Sequence, residues 1–292
     1  VKATRLLSIP ALLVLWSTAF ADTTDPAKQT IDYLRKLQTS AGGFAADAGK
    51  TQPSLRATSS ALRALKYFGG DVPDRSAAAR FVESCYDKKS GGFADAPGGK
   101  PDVATTAVGA MALVELNLPP APYEAGILRY LGDNTKSFEE IRIAAAGIEA
   151  LGKQPPQASD WLRQLQAMRH PDGTFADARE TGGATVAILR LGGRLSKTQS
   201  RNVVTAMTRG QNADGAFGKG QDGKSDLETT YRVMRCYHRL NADLNPEGKK
   251  HLAVFIQSCR NGDGGYGVAP GQPSGVSGTY YAAMIRHWQN ER

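Results

Sequence analysis

Five carboxylates stand at sequence positions that read as helix starts: Asp102, Glu139, Glu140, Asp226 and Glu228. Two such groups facing each other across a cavity would suit acid–base cleavage of a glycosidic bond, if their separation matched that chemistry. Spacing alone gives them a plainer role as well. Ser225-Asp-Leu-Glu228 and Ser137-Phe-Glu-Glu140 both have the interval of a capping box, in which the serine caps the helix and the glutamate reaches back. Asp226 and Glu228 therefore read either as catalytic or metal-holding carboxylates or as capping groups. No Ser-His-Asp arrangement follows from the spacing of the histidines, and His170, His238 and His251 read as surface residues. Three cysteines, Cys85, Cys236 and Cys259, are too few and too scattered for a disulfide framework. Cys85 and Cys259 each follow a serine near a helix end, which suits a buried packing position. With no CxxC pair, a cysteine zinc site is not expected.

The elements that would position these groups repeat. Gln211-Asn-Ala-Asp-Gly-Ala-Phe217 recurs as Arg260-Asn-Gly-Asp-Gly-Gly-Tyr266, and more loosely at Gly42-Gly43-Phe44, Gly91-Gly92-Phe93 and Asp172-Gly-Thr-Phe175. The aromatic anchors lie roughly 40 to 50 residues apart, with one gap of about twice that length. Phe138 falls inside the gap and reads as a worn sixth copy. Each copy sits between two stretches of helical apolar period. Glycine closes the first helix and turns the chain, and the aromatic ring plugs the space between helices. Pro53-Ser54 and Pro101-Asp102 offer caps for the helices that follow.

Six helix pairs are expected between Ile31 and Gln289, with no convincing strand alternation. The second helix of each pair is richer in Ala, Gly and Thr, as in Ala104-Thr-Thr-Ala-Val-Gly-Ala110, which suits a crowded inner ring. Single hairpins cannot bury their own apolar faces, so the copies must stack on one another. Composition permits either an open superhelix or a closed barrel of two concentric rings.

At the N-terminus, Lys2 and Arg5 precede the apolar run Leu6 to Trp16, and Ala19-Phe20-Ala21 fits a cleavage site. We read residues 1–21 as a signal peptide and residues 22–292 as one domain, exported to a periplasm or secreted. A membrane anchor is the alternative, for which the run is short. The net charge of +8 falls to +6 when Lys2 and Arg5 leave with the leader. The basic residues are scattered, so a nucleic-acid role is not expected, while an anionic ligand or surface fits. No later segment is apolar enough to make the mature chain an integral membrane protein.

The pattern from Gln211 to Tyr231, Gln-x-x-Asp-Gly-Ala-Phe followed by Asp226 and then Thr230-Tyr231, resembles the repeats of protein prenyltransferase β subunits and of squalene and oxidosqualene cyclases. The resemblance runs from about Ile31 to Trp288. It implies an all-α fold, an α/α toroid of six inner helices around a cavity and six outer ones. It also implies an apolar, isoprenoid or peptide ligand in that cavity, and leaves a second subunit as an open question. In the transferases an aspartate and a cysteine two positions on bind zinc with a histidine of the last inner helix. Asp226 matches the aspartate, Glu228 stands at the cysteine, and no histidine lies near Gly278 to Tyr281. Zinc could take oxygens of Asp226 and Glu228.

The family's basic and tyrosine groups near this helix start hold a diphosphate. Lys219 and Lys224 are close to those positions, each one place off. Tyr231, Tyr280 and Tyr281 would line an aromatic cavity, or pack between helices. The acidic Asp-x-Asp-Asp run of the cyclases and the Gly-Cys-Gly-Glu-Gln run of complement-type thioester domains are absent. Two readings follow from the resemblance: a prenyl transferase of the farnesyl or geranylgeranyl type, and a non-catalytic toroid binding a lipid, peptide or glycan.

Overall fold

A computed structural model describes residues 25–220 and 223–290. The expected signal peptide lies outside the described residues. Twelve helices occur among them. Six form the outer layer: α1 (Pro26–Lys36), α3 (Arg75–Ser84), α5 (Ala121–Asn134), α7 (Ala158–Met168), α9 (Lys197–Arg209) and α11 (Pro246–Ser258). Six form the inner layer: α2 (Leu55–Phe68), α4 (Val103–Glu115), α6 (Phe138–Leu151), α8 (Ala178–Arg190), α10 (Leu227–Arg239) and α12 (Val276–Asn290). Each inner helix packs on the next, and α12 returns to α2, so the ring closes.

Ion pairs show how the inner helices run. Arg56 at the start of α2 meets Asp102 at the start of α4 at 2.8 Å, and Lys66 at the end of α2 meets Glu115 at the end of α4 at 2.7 Å. Start joins start and end joins end, so these helices are parallel and their N-termini share one rim. The closing seam ties first copy to last. The Thr30 hydroxyl donates to the Gly264 carbonyl at 2.7 Å, Arg260 donates to Gln29 Oε1 at 2.6 Å, and the Val276 amide donates to Ala46 O at 2.8 Å.

The aromatic plugs are where the repeat places them. Phe44, Phe93 and Phe217 have no exposed surface, and Tyr266 and Phe175 are buried. A buried backbone N–H needs an acceptor. In all five copies a threonine hydroxyl, on the fourth residue of the next inner helix, accepts from the plug's amide. Thr58, Thr106, Thr181, Thr230 and Thr279 do so at 2.9 to 3.1 Å. Phe138 is not a sixth plug. It is the first residue of α6 and only half-buried. Three residues join α5 to α6, leaving no glycine loop to carry a plug, and the threonine position holds buried Ile141.

Gly215 shows why the loops need glycine. Its φ is +81°, and a Cβ there would lie 2.3 Å from the Leu252 backbone nitrogen. The first loop also pairs two short strands, β1 (Phe44–Ala45) and β2 (Pro53–Ser54), antiparallel. Two residues cannot display an alternation, so these strands leave no periodic signature to read. Cys85 and Cys259 occupy matching C-caps of α3 and α11, and burial pushes both thiols, and that of Cys236, up to about 12. Among the described residues no helix is long and apolar enough to cross a membrane.

Candidate functional site: an arginine and tyrosine cavity at the ring axis

Small residues let the inner helices crowd, yet six helices cannot close on a point. They leave a cavity of about 360 Å³ lined from all six. Its apolar wall includes Val108, Met111 and Ile143, and its aromatic wall is Tyr231, Tyr280 and Tyr281. The Tyr231 and Tyr280 hydroxyls are 2.5 Å apart, and Trp288 stacks on Tyr231 with centroids 5.5 Å apart. Burial, then the Glu228 charge, pushes the Tyr281 hydroxyl up to about 12.

The rest of the lining is charged. On the rim where the inner helices begin, Arg232 donates to both oxygens of Glu139, at 2.8 and 3.1 Å, and to Glu228 at 2.5 Å. Arg142 adds a 3.0 Å bond to Glu139, and Arg179 lies 3.5 Å from both glutamates. This network spans from α6 to α10 over the start of α8, where Gly183 leaves room: a Cβ there would lie 3.3 Å from Arg142 Cδ. Burial would raise the Glu139 carboxyl, but Arg232 and Arg142 override it and hold it at about 2. At the other rim Glu149 takes Arg190 at 2.8 Å and also Arg239.

The carboxylates expected to do chemistry are engaged. Asp226 is the N-cap of α10: Oδ1 accepts from the Thr229 amide at 2.7 Å and Oδ2 from the Thr229 hydroxyl at 2.8 Å. The capping box expected from Ser225 to Glu228 therefore does not form: the cap falls one residue later, on Asp226, and the Asp226 amide donates to the Phe217 carbonyl instead. Ser225 instead donates to Asp214 and accepts from Asn212, closing the loop before the helix. Glu228 lines the cavity but is held by Arg232 and Arg179. The box at Ser137 and Glu140 forms as expected. Asp102 caps α4 and pairs with Arg56.

Zinc does not fit these donors. The two oxygens of Asp226 serve a cap, those of Glu228 face guanidinium groups, and no group of three metal-ligating side chains occurs among the described residues. His287, near the end of α12, packs on Tyr67 with centroids 4.4 Å apart. Lys219 and Lys224 are exposed on the loop before α10 and do not line the cavity. The three tyrosines are gathered on it.

What sequence reasoning missed is the arginines: Arg63, Arg142, Arg190, Arg232 and Arg235 line the cavity. A signal existed. Arg63 and Arg235 are each the ninth residue of an inner helix, and Arg63 sits between buried Leu62 and Ala64. A charge in the middle of a buried helix points to an internal cavity or an internal partner.

The family model of the prenyltransferase alpha-alpha toroid domain matches residues 6–75, 69–138 and 123–287. No curated protein matches the sequence. Among solved structures, Candida albicans protein geranylgeranyltransferase-I complexed with GGPP is similar over 91% of this chain and 92% of its own, at 10% identity and a TM-score of 0.68. A glycosidase variant in complex with glucose is similar over 90% and 96%, at 12% identity and a TM-score of 0.62. The type II terpene cyclase MstE from Scytonema is similar over 90% and 97%, at 12% identity and a TM-score of 0.61. At these identities the likeness is one of fold. With the family model spanning nearly the whole chain and six inner helices closed around a cavity, the chain belongs to the prenyltransferase alpha-alpha toroid family.

Proposed function

We propose that the chain is an exported binding toroid that holds the apolar or isoprenoid body of a small ligand in its central cavity, without the zinc chemistry of the transferases. The observation that carries this reading is the joined tyrosine wall: Tyr231, Tyr280 and Tyr281 converge from two helices on a cavity of about 360 Å³. That volume is near the lower end of ligand pockets, about 300 to 1,000 Å³, which favours one short chain over a polymer. Arginine-held carboxylates make poor general acids, because catalysis of that kind needs a carboxyl whose pKa is raised. The glycosidase-like reading is weakened accordingly.

Trp288 stacks on Tyr231 and reports on the wall. Titrating the mature chain with a neutral isoprenoid alcohol should change tryptophan emission saturably, and Tyr231→Ala should abolish the change. A flat titration with both proteins would overturn the reading. Family membership keeps prenyl transfer as the second reading. Its test is incubation with a prenyl diphosphate and a thiol peptide: release of diphosphate with a prenylated peptide would establish it.

A further inference from the structure

Charge is neutralised unevenly along the cavity. At the rim where the inner helices start, Glu139 and Glu228 are shared among Arg142, Arg179 and Arg232. At the far rim, Glu149 serves Arg190 and Arg239, and Glu115 serves Lys66. Between the two, Arg63 from α2 and Arg235 from α10 line the cavity, and neither has a carboxylate within ion-pair range among the described residues. Each rests on a ring of the joined tyrosine pair. The Arg63 guanidinium is 5.0 Å from the Tyr280 centroid, and that of Arg235 is 4.1 Å from the Tyr231 centroid. A third donor is close by. Arg190 has a side chain only 9% exposed, and its Nη1 is buried with no hydrogen-bond partner.

Like charges crowded into one cavity are costly when carboxylates do not match them: among the described residues Arg63 and Arg235 have none in range, and Arg190 shares Glu149 with Arg239. Burial, and after it the charge of Arg190, depresses Arg235 well below the arginine range, and burial first of all takes Arg190 down to about 10. Whatever supplies the missing negative charge is bound more tightly for that reason. A carboxylate brings one charge. A phosphate or sulfate group brings more charge and a tetrahedral set of acceptors that several guanidinium forks can share.

We propose that Arg63, Arg190 and Arg235 form an oxyanion site inside the ring, which takes the phosphate or sulfate group of the cavity's ligand over the Tyr231–Tyr280 pair. The site is distinct from Lys219 and Lys224, which stand outside the cavity. It rests on the reading of the cavity as a ligand site, but inorganic anions test it without any apolar body.

The test is calorimetric titration of the mature chain with inorganic phosphate, sulfate and acetate at fixed ionic strength, alongside thermal melts. Phosphate or sulfate should bind more tightly than acetate and raise Tm by at least about 2 °C at saturation. The double variant R63Q/R235Q should keep its helical signal and weaken phosphate at least about tenfold, since two charge-assisted donors are lost. Should that variant fail to fold, R63K, which keeps the charge and loses the fork, should fold and still weaken phosphate. K219Q, on the exposed loop before α10 and outside the cavity lining, should leave phosphate affinity within about twofold, as expected for an independent site. The proposal is overturned by any of four results: no oxyanion binding, acetate binding as tightly as phosphate, unchanged affinity in R63Q/R235Q or R63K, or equal weakening by K219Q. If the isoprenoid alcohol fails to bind while phosphate binds as described, the anion site stands and the isoprenoid reading falls. The converse result sinks the anion site alone.

Discussion

At the scale of single residues, a hydroxyl decides whether a plug can be buried. Thr230 accepts from the Phe217 amide at 3.1 Å and donates to the Asp226 carbonyl at 2.7 Å. Thr230→Val keeps the shape and removes both bonds. Leaving a buried N–H unsatisfied costs about 1 to 3 kcal/mol, so chemical denaturation should show a midpoint shift with an unchanged m-value. Ile141 in α6 marks the same position where no plug amide exists. Glu139 allows a pH prediction. Its folded carboxyl is held at about 2, below the ordinary carboxylate range of about 4.3. Its contribution is therefore present above that range and is lost as pH falls from about 4.5 towards 2. Melts of the native chain and Glu139→Gln should differ at pH 6 and converge near pH 2; a gap that persists there would argue against the arginine network as its source. The tyrosines of the site were legible because aromatic residues follow a repeated motif. The arginines were not, because a scattered basic residue in sequence carries no mark of facing inward until the helix phase is known.

At the scale of elements, the helices were legible from period and punctuation, and their ends from capping chemistry. Ser54, Asp102 and Ser137 cap α2, α4 and α6 as their sequence contexts suggest. The start of α10 was misread by one residue, because Ser225 and Asp226 are both competent caps and only the loop's own bonds choose between them. Ser225 is drawn off to Asp214 and Asn212, which leaves Asp226 for the cap. The two roles separate by mutation. Asp226→Ala should cost about 1 kcal/mol from the lost cap and leave ligand or anion affinity unchanged, because the carboxylate serves Thr229. A large loss of affinity at normal stability would instead return Asp226 to the site. Phe138 was misread for a related reason. A phenylalanine beside a helix start looks like a plug, but a three-residue connection has no room for the loop that makes one.

At the scale of the whole molecule, the question left open by composition was whether the hairpins stack as an open superhelix or close. An open array is a sum of neighbouring interfaces, and loss of a terminal repeat costs roughly that repeat's own contribution. A closed ring has no terminal repeat. Here α12 packs on both α10 and α2, and the seam joins Thr30 to Gly264 and Gln29 to Arg260. Removing residues 246–290 would uncover Tyr231 and strip the partners of α1 and α2 together, opening two buried faces rather than one. Circular dichroism and denaturant titration of such a truncation should show loss of cooperative unfolding, not a modest shift in midpoint. A truncated chain that still melted cooperatively would mean that five copies stack as a stable arc. The cavity would then be a groove open along one side, and the axial position of Arg63 and Arg235 would no longer shield an anion from water.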